Sequence, residues 1–501
     1  MTSNSTFTPA CFVRLRDGVA EQSGTQQHNG GFISETSTCC LEGVFIRWSA
    51  CGGRVSVQND RYGIHPGFVF ADRNRFAVAT SVKEIRDRAD VRDLDDEAIA
   101  VFLRLGYFIG NDTPFQQIRA LEPGSDLQWE LGDLKVDHSR ACGVPETIDI
   151  TRPDARRRFG TLFQEAVERL HRDVPGCVPL SGGQDSRHIL FALIEAGHSP
   201  DFTVTLESPP PRINTDVEVA SLVAGSLGLC HQVIAQPPDV LGRELTKNSL
   251  TGFCADEHAW LMPIAEFCRQ HGIQQSWDGL GGDYLSSGRL LNQQWLDWFR
   301  NGDFEILANV FLGDEGYLPK SLCVDQLERW SRSVAVKRLV RELERHADAP
   351  NPVMSFFFCN RVRRELALAP FGLVARQCPV MTPFLDRNVF DFLVSLPTEM
   401  MLDEQFHIET IREFYPRMPD IPFQSISKFG NDRLPSTVIR RFCRELAAYS
   451  MEPVSRSHFV RRSFLLPRLM KGYLNPRFGS SLPITFSRLI LLMQLERELA
   501  R

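Results

Sequence analysis

Two short stretches carry the residue types that handle phosphate. The first, Val178-Pro-Leu-Ser-Gly-Gly-Gln-Asp-Ser186, is an apolar run that ends in a hydroxyl and two glycines and then opens a helix. Glycine at 182 and 183 lets backbone N–H groups approach a ligand closely. A helix N-terminus favours negative charge, and Ser181 and Ser186 add hydroxyl donors, so the bend suits an anion, phosphate above all. It is not a Walker A loop, because the GxxxxGK[ST] spacing and its lysine are absent. The second stretch, Trp277-Asp-Gly-Leu-Gly-Gly-Asp-Tyr-Leu-Ser-Ser-Gly288, also follows a short apolar run, at the carboxyl end of a predicted strand where open α/β sheets place their ligands. Arg187 and His188 directly follow the first bend and can reach a carboxylate substrate. Asp256-Glu257-His258 can supply a general base, although a helix cap with a first-turn acid explains the same letters. Lysine is rare, seven of 56 basic residues, so each lysine that remains merits scrutiny.

The elements that must position these residues divide the chain in two. Gly43–Trp48, Arg54–Val57, Phe68–Ala71 and Phe76–Ala79 read as short antiparallel strands, and Asp95 caps a helix carrying Ile99, Phe102 and Leu103. After about Thr147 the pattern changes to helical periods alternating with single apolar strands, the signature of a parallel sheet. Strands are predicted at Cys177–Leu180, Phe202–Leu206, His231–Ile234 and Ile273–Trp277, with helices at 152–171, 186–197, 215–228 and 257–271. From Leu291 the chain is helical by pattern and closes on Thr485–Arg501, whose Leu491, Leu492, Leu495 and Leu499 form one stripe that packs on its own domain.

SGGxDS between a strand and a helix resembles the PP-loop of ATP pyrophosphatases, which split ATP between the α and β phosphates and hold the pyrophosphate. The second stretch resembles the SGxGxDExxxGY segment of asparagine synthetases. Asp216-Val-Glu-Val-Ala220 with Leu227-Gly228, and the run Pro383-Phe-Leu-Asp386 to Pro397, extend the resemblance to the asparagine synthetase family over most of the chain. It implies ATP held by Leu180, Ser181, Gly182, Gly183, Asp185, Ser186, Val204, Thr205, Asp278 and Gly279, with Val204 and Thr205 beside adenine. It implies Mg²⁺ shared by Asp185 and Asp283, a donor set that suits a hard octahedral cation, and Lys428 as the catalytic cation near the α-phosphate. The amino-terminal part, through Gly43-Val-Phe45, Asn59-Asp-Arg-Tyr-Gly63 and Leu121-Glu-Pro-Gly124, resembles the family's glutaminase domain, shortened before Gly43. Its nucleophile is missing, since Thr2 stands where the family has cysteine, and this half reads as a scaffold. Two departures touch the other half. Tyr284 replaces the acid after the second-motif aspartate, and Pro379-Val-Met381 replaces a Glu-x-Arg, which puts aspartate as substrate in doubt.

The implied fold is α/β. Residues 1–147 form a truncated Ntn-hydrolase-like antiparallel β domain of αββα type, and 148–501 a parallel-sheet PP-loop ATP pyrophosphatase domain, adenine nucleotide α-hydrolase-like, with a helical C-terminal part. The implied activity is an ATP-dependent, AMP-forming amide ligase acting on a small-molecule or peptide carboxylate and an amine or ammonia, without glutamine hydrolysis. A cyclase of β-lactam-synthetase or lasso-peptide type and a non-catalytic interaction protein keeping the fold stay open, as does a homodimer. Composition agrees with a folded protein: 43% hydrophobic and 24% charged residues, with a net charge of −6 that gives no field favouring nucleic acid. No apolar run reaches the roughly 18–20 residues of a membrane span, and the amino terminus lacks a leader pattern, so a cytoplasmic location is expected. Thirteen cysteines without CxxC or Cys/His ligand spacing are expected to be reduced, buried thiols.

Overall fold

In the computed structural model the described residues are 8–16, 19–35, 41–143, 146–207, 214–256, 258–423, 434–452 and 458–500. Ten strands come first: β1 (Ala10–Arg16), β2 (Val19–Gly24), β3 (Gln27–Glu35), β4 (Leu41–Cys51), β5 (Arg54–Asn59), β6 (Phe68–Ala71), β7 (Arg75–Ala79), β8 (Arg119–Ala120), β9 (Asp126–Glu130) and β10 (Asp133–Asp137). They form two five-stranded antiparallel sheets, ordered β2-β1-β7-β6-β8 and β10-β9-β5-β4-β3. Alternation buries one face of each strand. Cys11, Val13, Phe76 and Val78 of the first sheet meet Ile46, Trp48, Val55, Val57 and Trp129 of the second in one core. Before Gly43, where the family pattern is short, three strands are present, a feature the sequence pattern did not disclose. Helices α1 (Val82–Ala89) and α2 (Asp96–Leu105) follow β7, and Asp95 caps α2 by accepting from Ala98 N.

The second half is built on a parallel sheet of β11 (Gly176–Pro179), β12 (Phe202–Glu207), β13 (His231–Ala235), β14 (Gln275–Trp277) and β15 (Val380–Met381). Its order is β13-β12-β11-β14-β15, so the strand order reverses between β11 and β14. That reversal opens a crevice at the carboxyl ends of these two strands. The helices between are α3 (Arg152–Leu170), α4 (Gln184–Glu195), α5 (Thr215–Ser226), α6 (Val240–Leu250), α7 (Met262–Gln270) and the single turn α8 (Gly282–Leu285). Helix α7 starts later than expected because Pro263 sits in its first turn, preceded by a 3₁₀ turn at Ala259–Leu261.

From Gln293 onward the chain is mainly helical, as its pattern predicts. The closing helix, Leu482–Ala500, buries Leu491, Leu492 and Leu495. It docks on α6, where Gln494 donates to Leu245 O at 2.9 Å and accepts from Asn248 at 3.1 Å. Arginines tie the first half to this helical part. Arg104 grips Glu315 with two hydrogen bonds of 2.7 and 2.8 Å, and Arg363 donates to Asn111 and to Leu121 O. No helix among the described residues is long and apolar enough to cross a membrane.

Candidate active site

The Ser181–Ser186 bend begins where β12 fixes the end of β11. Leu180 N donates to Val204 O at 2.8 Å, and the Thr205 hydroxyl donates to Leu180 O at 2.5 Å. Val204 and Thr205, expected beside adenine, are therefore buried strand neighbours whose polar groups hold the start of the bend. Past Leu180 the backbone folds over its own hydroxyls. Ser181 N donates to Ser186 Oγ at 3.1 Å, Gly183 N donates to Ser181 Oγ at 3.2 Å, and the two hydroxyls meet at 3.0 Å. Gly183 is the N-cap of α4 with an ordinary φ of −79°, so what it contributes is lack of bulk and not a special backbone conformation. Gly182 N donates to Asp216 Oδ1 at 2.8 Å, so an anionic oxygen already sits on one N–H of the bend.

The second stretch leaves β14 and closes against the first. Asp278 N donates to Met381 O at 2.9 Å, and the Asp278 carboxylate accepts from Leu280 N at 2.8 Å. Burial, and then the charge of Asp185, push the Asp278 carboxyl up to about 6. Gly281 takes φ 91°, which requires glycine, and turns the chain into α8. The Asp185 side chain lies against this turn so closely that a Cβ at Gly279 would stand 2.6 Å from Asp185 Cβ, and one at Gly282 2.5 Å from Asp185 Cγ. Asp185 also accepts the backbone N–H of Asp283. The two carboxylates predicted to share a cation are thus brought together from distant parts of the sequence.

Electrostatics mark this pair as unfinished. Burial and the neighbouring Asp283 raise the Asp185 carboxyl well above the usual range, and its buried Oδ1 has no hydrogen-bond partner. Arg289 pairs with Asp283, while Asp185 has no arginine or lysine of its own among the described residues. An adjacent carboxylate pair with a free buried oxygen is costly unless a cation completes it. The donor set is oxygen only, which fits Mg²⁺.

Arg187 is 1% exposed and links the bend to a later segment. It donates to Gly182 O at 2.9 Å, to Ile421 O at 2.5 Å and to Pro422 O at 2.8 Å, and its guanidinium lies 4.4 Å from the Phe423 ring. Its hydrogen bonds are thus made to backbone and its cation covers a ring, an arrangement that joins two pieces of chain. Lys428, the expected catalytic cation, lies outside the described residues. Asp256 is taken by Arg488 at 2.6 Å, and His258 is buried 4.0 Å from Glu365. Neither shares a hydrogen bond or ion pair with Asp185 or Asp283. Tyr284 is buried and stacks on Phe357, and Val380–Met381, where the family has its Glu-x-Arg, is the edge strand β15.

Four residues make contacts here to which the sequence assigns no role: Asp216 on the bend, Arg289 on Asp283, and His407 with Ser286 behind Asp185. His407 Nδ1 is 3.0 Å from Ser286 Oγ and 3.3 Å from Asp185 Oδ1, and its Nε2 is 2.8 Å from His188 Nδ1. Burial lowers His407 to about 3 and His188 well below its ordinary value, so both rings are neutral. No sequence spacing signals a partnership between helices this far apart.

No curated protein matches the chain. A family model described as asparagine synthase matches residues 158–414, just over half of the chain, a span that includes every strand of the parallel sheet and the Asp185 and Asp283 pair. The chain belongs to the asparagine synthase family, a family of ATP-dependent carbon–nitrogen ligases.

Proposed function

We propose that the protein forms an amide bond by activating a carboxylate as its acyl-adenylate. The observation that carries this reading is the meeting of Asp185 and Asp283 at the switch point of the parallel sheet, beside a bend built to hold pyrophosphate. A substrate carboxylate oxygen bonds to the α-phosphorus of ATP as the bond to the β-phosphate oxygen breaks, and pyrophosphate leaves into the bend at Ser181–Ser186. An amine nitrogen then bonds to the acyl carbon, AMP departs with the carboxyl oxygen, and the amine loses a proton. Activation is required because a carboxylate is a poor electrophile with a poor leaving group, and adenylation removes both faults.

Asp185 and Asp283 would hold Mg²⁺, which neutralises the charge of the phosphate oxygens. Leu180, Asp278 and Gly279 border the nucleotide, with adenine toward the carboxyl end of β12 beyond Val204 and Thr205. Lys428 supplies a compact cation for charge that builds at the α-phosphate. Arg187 holds the residues ahead of it, Ile421–Phe423, to the bend.

The first half is a glutaminase-like scaffold, so the nitrogen comes from free ammonia or from an amine of the substrate. Ring closure within one small molecule or peptide is the second reading. It is favoured by the acceptor side, where a buried Tyr284 and the apolar strand Val380–Met381 stand in place of family acids and a basic residue.

The test is exchange of labelled pyrophosphate into ATP across a panel of carboxylic acids and amino acids. Exchange that depends on one acid supports adenylation, and cyclised product from an acid bearing its own amine selects the second reading. No exchange with any acid, together with no ATP binding, would leave an interaction protein that has kept the fold. Glutamate released from glutamine would overturn the scaffold assignment.

A further inference from the structure

Behind Asp185 lies a buried polar chain that the ligase reading does not by itself require. His188 sits one turn after Asp185 on α4, and His407 comes from the helix Phe406–Phe414. Both histidines and Ser286 are 0% exposed. The rings are caged by aromatics: His188 stacks on Phe163 at 3.8 Å, and His407 lies 5.7 Å from Phe159 and 5.6 Å from Phe384. An apolar side chain would fill such a cage without the desolvation penalty of an imidazole.

The hydrogen bonds fix the direction of this chain. The Ser286 hydroxyl has one proton, and it is placed on Gly282 O at 2.8 Å. Ser286 Oγ must therefore accept at its 3.0 Å contact with His407 Nδ1, which puts the proton of the neutral ring on Nδ1. His407 Nε2 is then the acceptor, and His188 Nδ1–H donates to it across 2.8 Å. The opposite tautomer would aim the Nδ1 lone pair at Ser286 Oγ, whose proton is already on Gly282 O, and set two acceptors against each other. In the first arrangement the N–H edge of His407 faces both Ser286 and the unpartnered Asp185 oxygen. Ser286 in turn holds Gly282, whose backbone is pressed on the Asp185 carboxylate.

We propose that His407, with its tautomer set by His188, is a positioning residue that holds Asp185 and α8 in the one arrangement able to take a divalent cation. This role rests on the nucleotide-binding reading above. The N–H edge of His407 supports Asp185 from behind, and the Ser286 to Gly282 link carries the same support to the turn that presents Asp283. Hydrogen-bonded supports of metal-binding carboxylates typically change affinity by about 10–100-fold when removed.

The experiment measures Mn²⁺ affinity in the presence of ATP by electron paramagnetic resonance, with KM for Mg-ATP and kcat read separately in the exchange assay. His407→Asn places an amide N–H near the Nδ1 position and keeps the donor to Ser286 beside Asp185, whereas His407→Gln places its amide near Nε2 and loses that donor. The expected result is weakening of Mn²⁺ binding by about 10–100-fold in the Gln variant, with the Asn variant remaining within about threefold of wild type. Equal loss in both variants, or none in either, would overturn the role. An independent measurement uses wild-type protein labelled with ¹⁵N-histidine. It should show a His407 ring protonated at Nδ1 and a nitrogen–nitrogen coupling across the His188 to His407 hydrogen bond, and an Nε2–H ring would overturn the assignment even if no variant folds. Wild-type protein that binds neither Mn²⁺ nor ATP would sink the ligase reading and this role together, whereas wild-type binding with indifferent variants sinks this role alone.

Discussion

Adding one methyl group at Gly282 tests the geometry at its tightest point. A Cβ there would stand 2.5 Å from Asp185 Cγ and 2.6 and 2.8 Å from its two oxygens. Ordinary contact begins at 3.4 Å, so the carboxylate would have to retreat by roughly 0.6–0.9 Å in an interior packed as densely as a crystal. It has little room to do so. Gly279 closes the same side chain at its Cβ, and the Asp283 N–H and the His407 edge face its oxygens. The φ of Gly282 is not left-handed, so the loss expected of Gly282→Ala is steric and works against the helix-propensity gain of alanine. Overpacking of this kind costs about 1–3 kcal/mol of stability, and a displacement of about 1 Å at a reacting centre costs about 100-fold in rate. The assay is carboxylate-dependent exchange of pyrophosphate into ATP, run beside a thermal melt. Gly225→Ala is the control. Its Cβ meets nothing within 4 Å in α5, so it should stabilise by about 1 kcal/mol and leave exchange unchanged. A Gly282→Ala protein within twofold of wild-type exchange, with an unchanged melt, would refute the packing of Asp185 described here.

Three further outcomes follow from single contacts. Arg187→Lys keeps one charge but cannot span Gly182 O, Ile421 O and Pro422 O, so KM for ATP should rise and stability fall by about 2–4 kcal/mol in urea melts; an unchanged KM would dissociate this tie from nucleotide binding. Asp216→Asn removes the charge that sits on Gly182 N, and inhibition by pyrophosphate should strengthen up to about fivefold; weaker inhibition would mean that the carboxylate shapes the bend and does not compete for it. Asp278 ionises near 3.8 when unfolded and near 6 in the fold. Across that window the folded state keeps the extra proton, so wild-type stability falls as pH rises, and the penalty is complete above about pH 6. Asp278→Asn retains an acceptor for Leu280 N–H, so its stability relative to wild type should improve between pH 4 and pH 7 by at most about 3 kcal/mol, and a difference that does not vary with pH would remove the cause assigned to the shift.

What was legible in the sequence was local. The bend at Ser181–Ser186 announces itself because strand, glycines, hydroxyls and helix start fall within nine consecutive residues, and the Asp95 cap is equally compact. Strand β2 could not be read because much of it faces water, which leaves little apolar alternation to count. Helix α6 was hidden for the opposite reason. Two of its three buried residues are Lys247 and Asn248, both 0% exposed, with the Lys247 ammonium held by Ala255 O, Asp256 O and Glu244. A helix that buries a lysine does not show a hydrophobic stripe. Strand β15 is only two residues long, too short for a period to show, and its apolar letters stand out solely as a departure from the family's acid and base.

The same distinction separates the two sides of the proposed site. Beside the Ser181–Ser186 bend the polar groups are incomplete at one point, a buried Asp185 oxygen without a hydrogen-bond partner and a second acid next to it, while the backbone donors of the bend are satisfied within the fold. Such a carboxylate pair is unfavourable alone and is relieved when a cation enters. Where family members carry acids and a basic residue, Tyr284 and Val380–Met381 are buried contacts satisfied within the fold. Their packing is complete without a ligand, and under the proposed reading this is the side on which the acid or amine is chosen. A comparison of acids in the exchange assay should accordingly show ATP affinity that varies little from acid to acid, and discrimination that resides almost wholly in the carboxylate and amine.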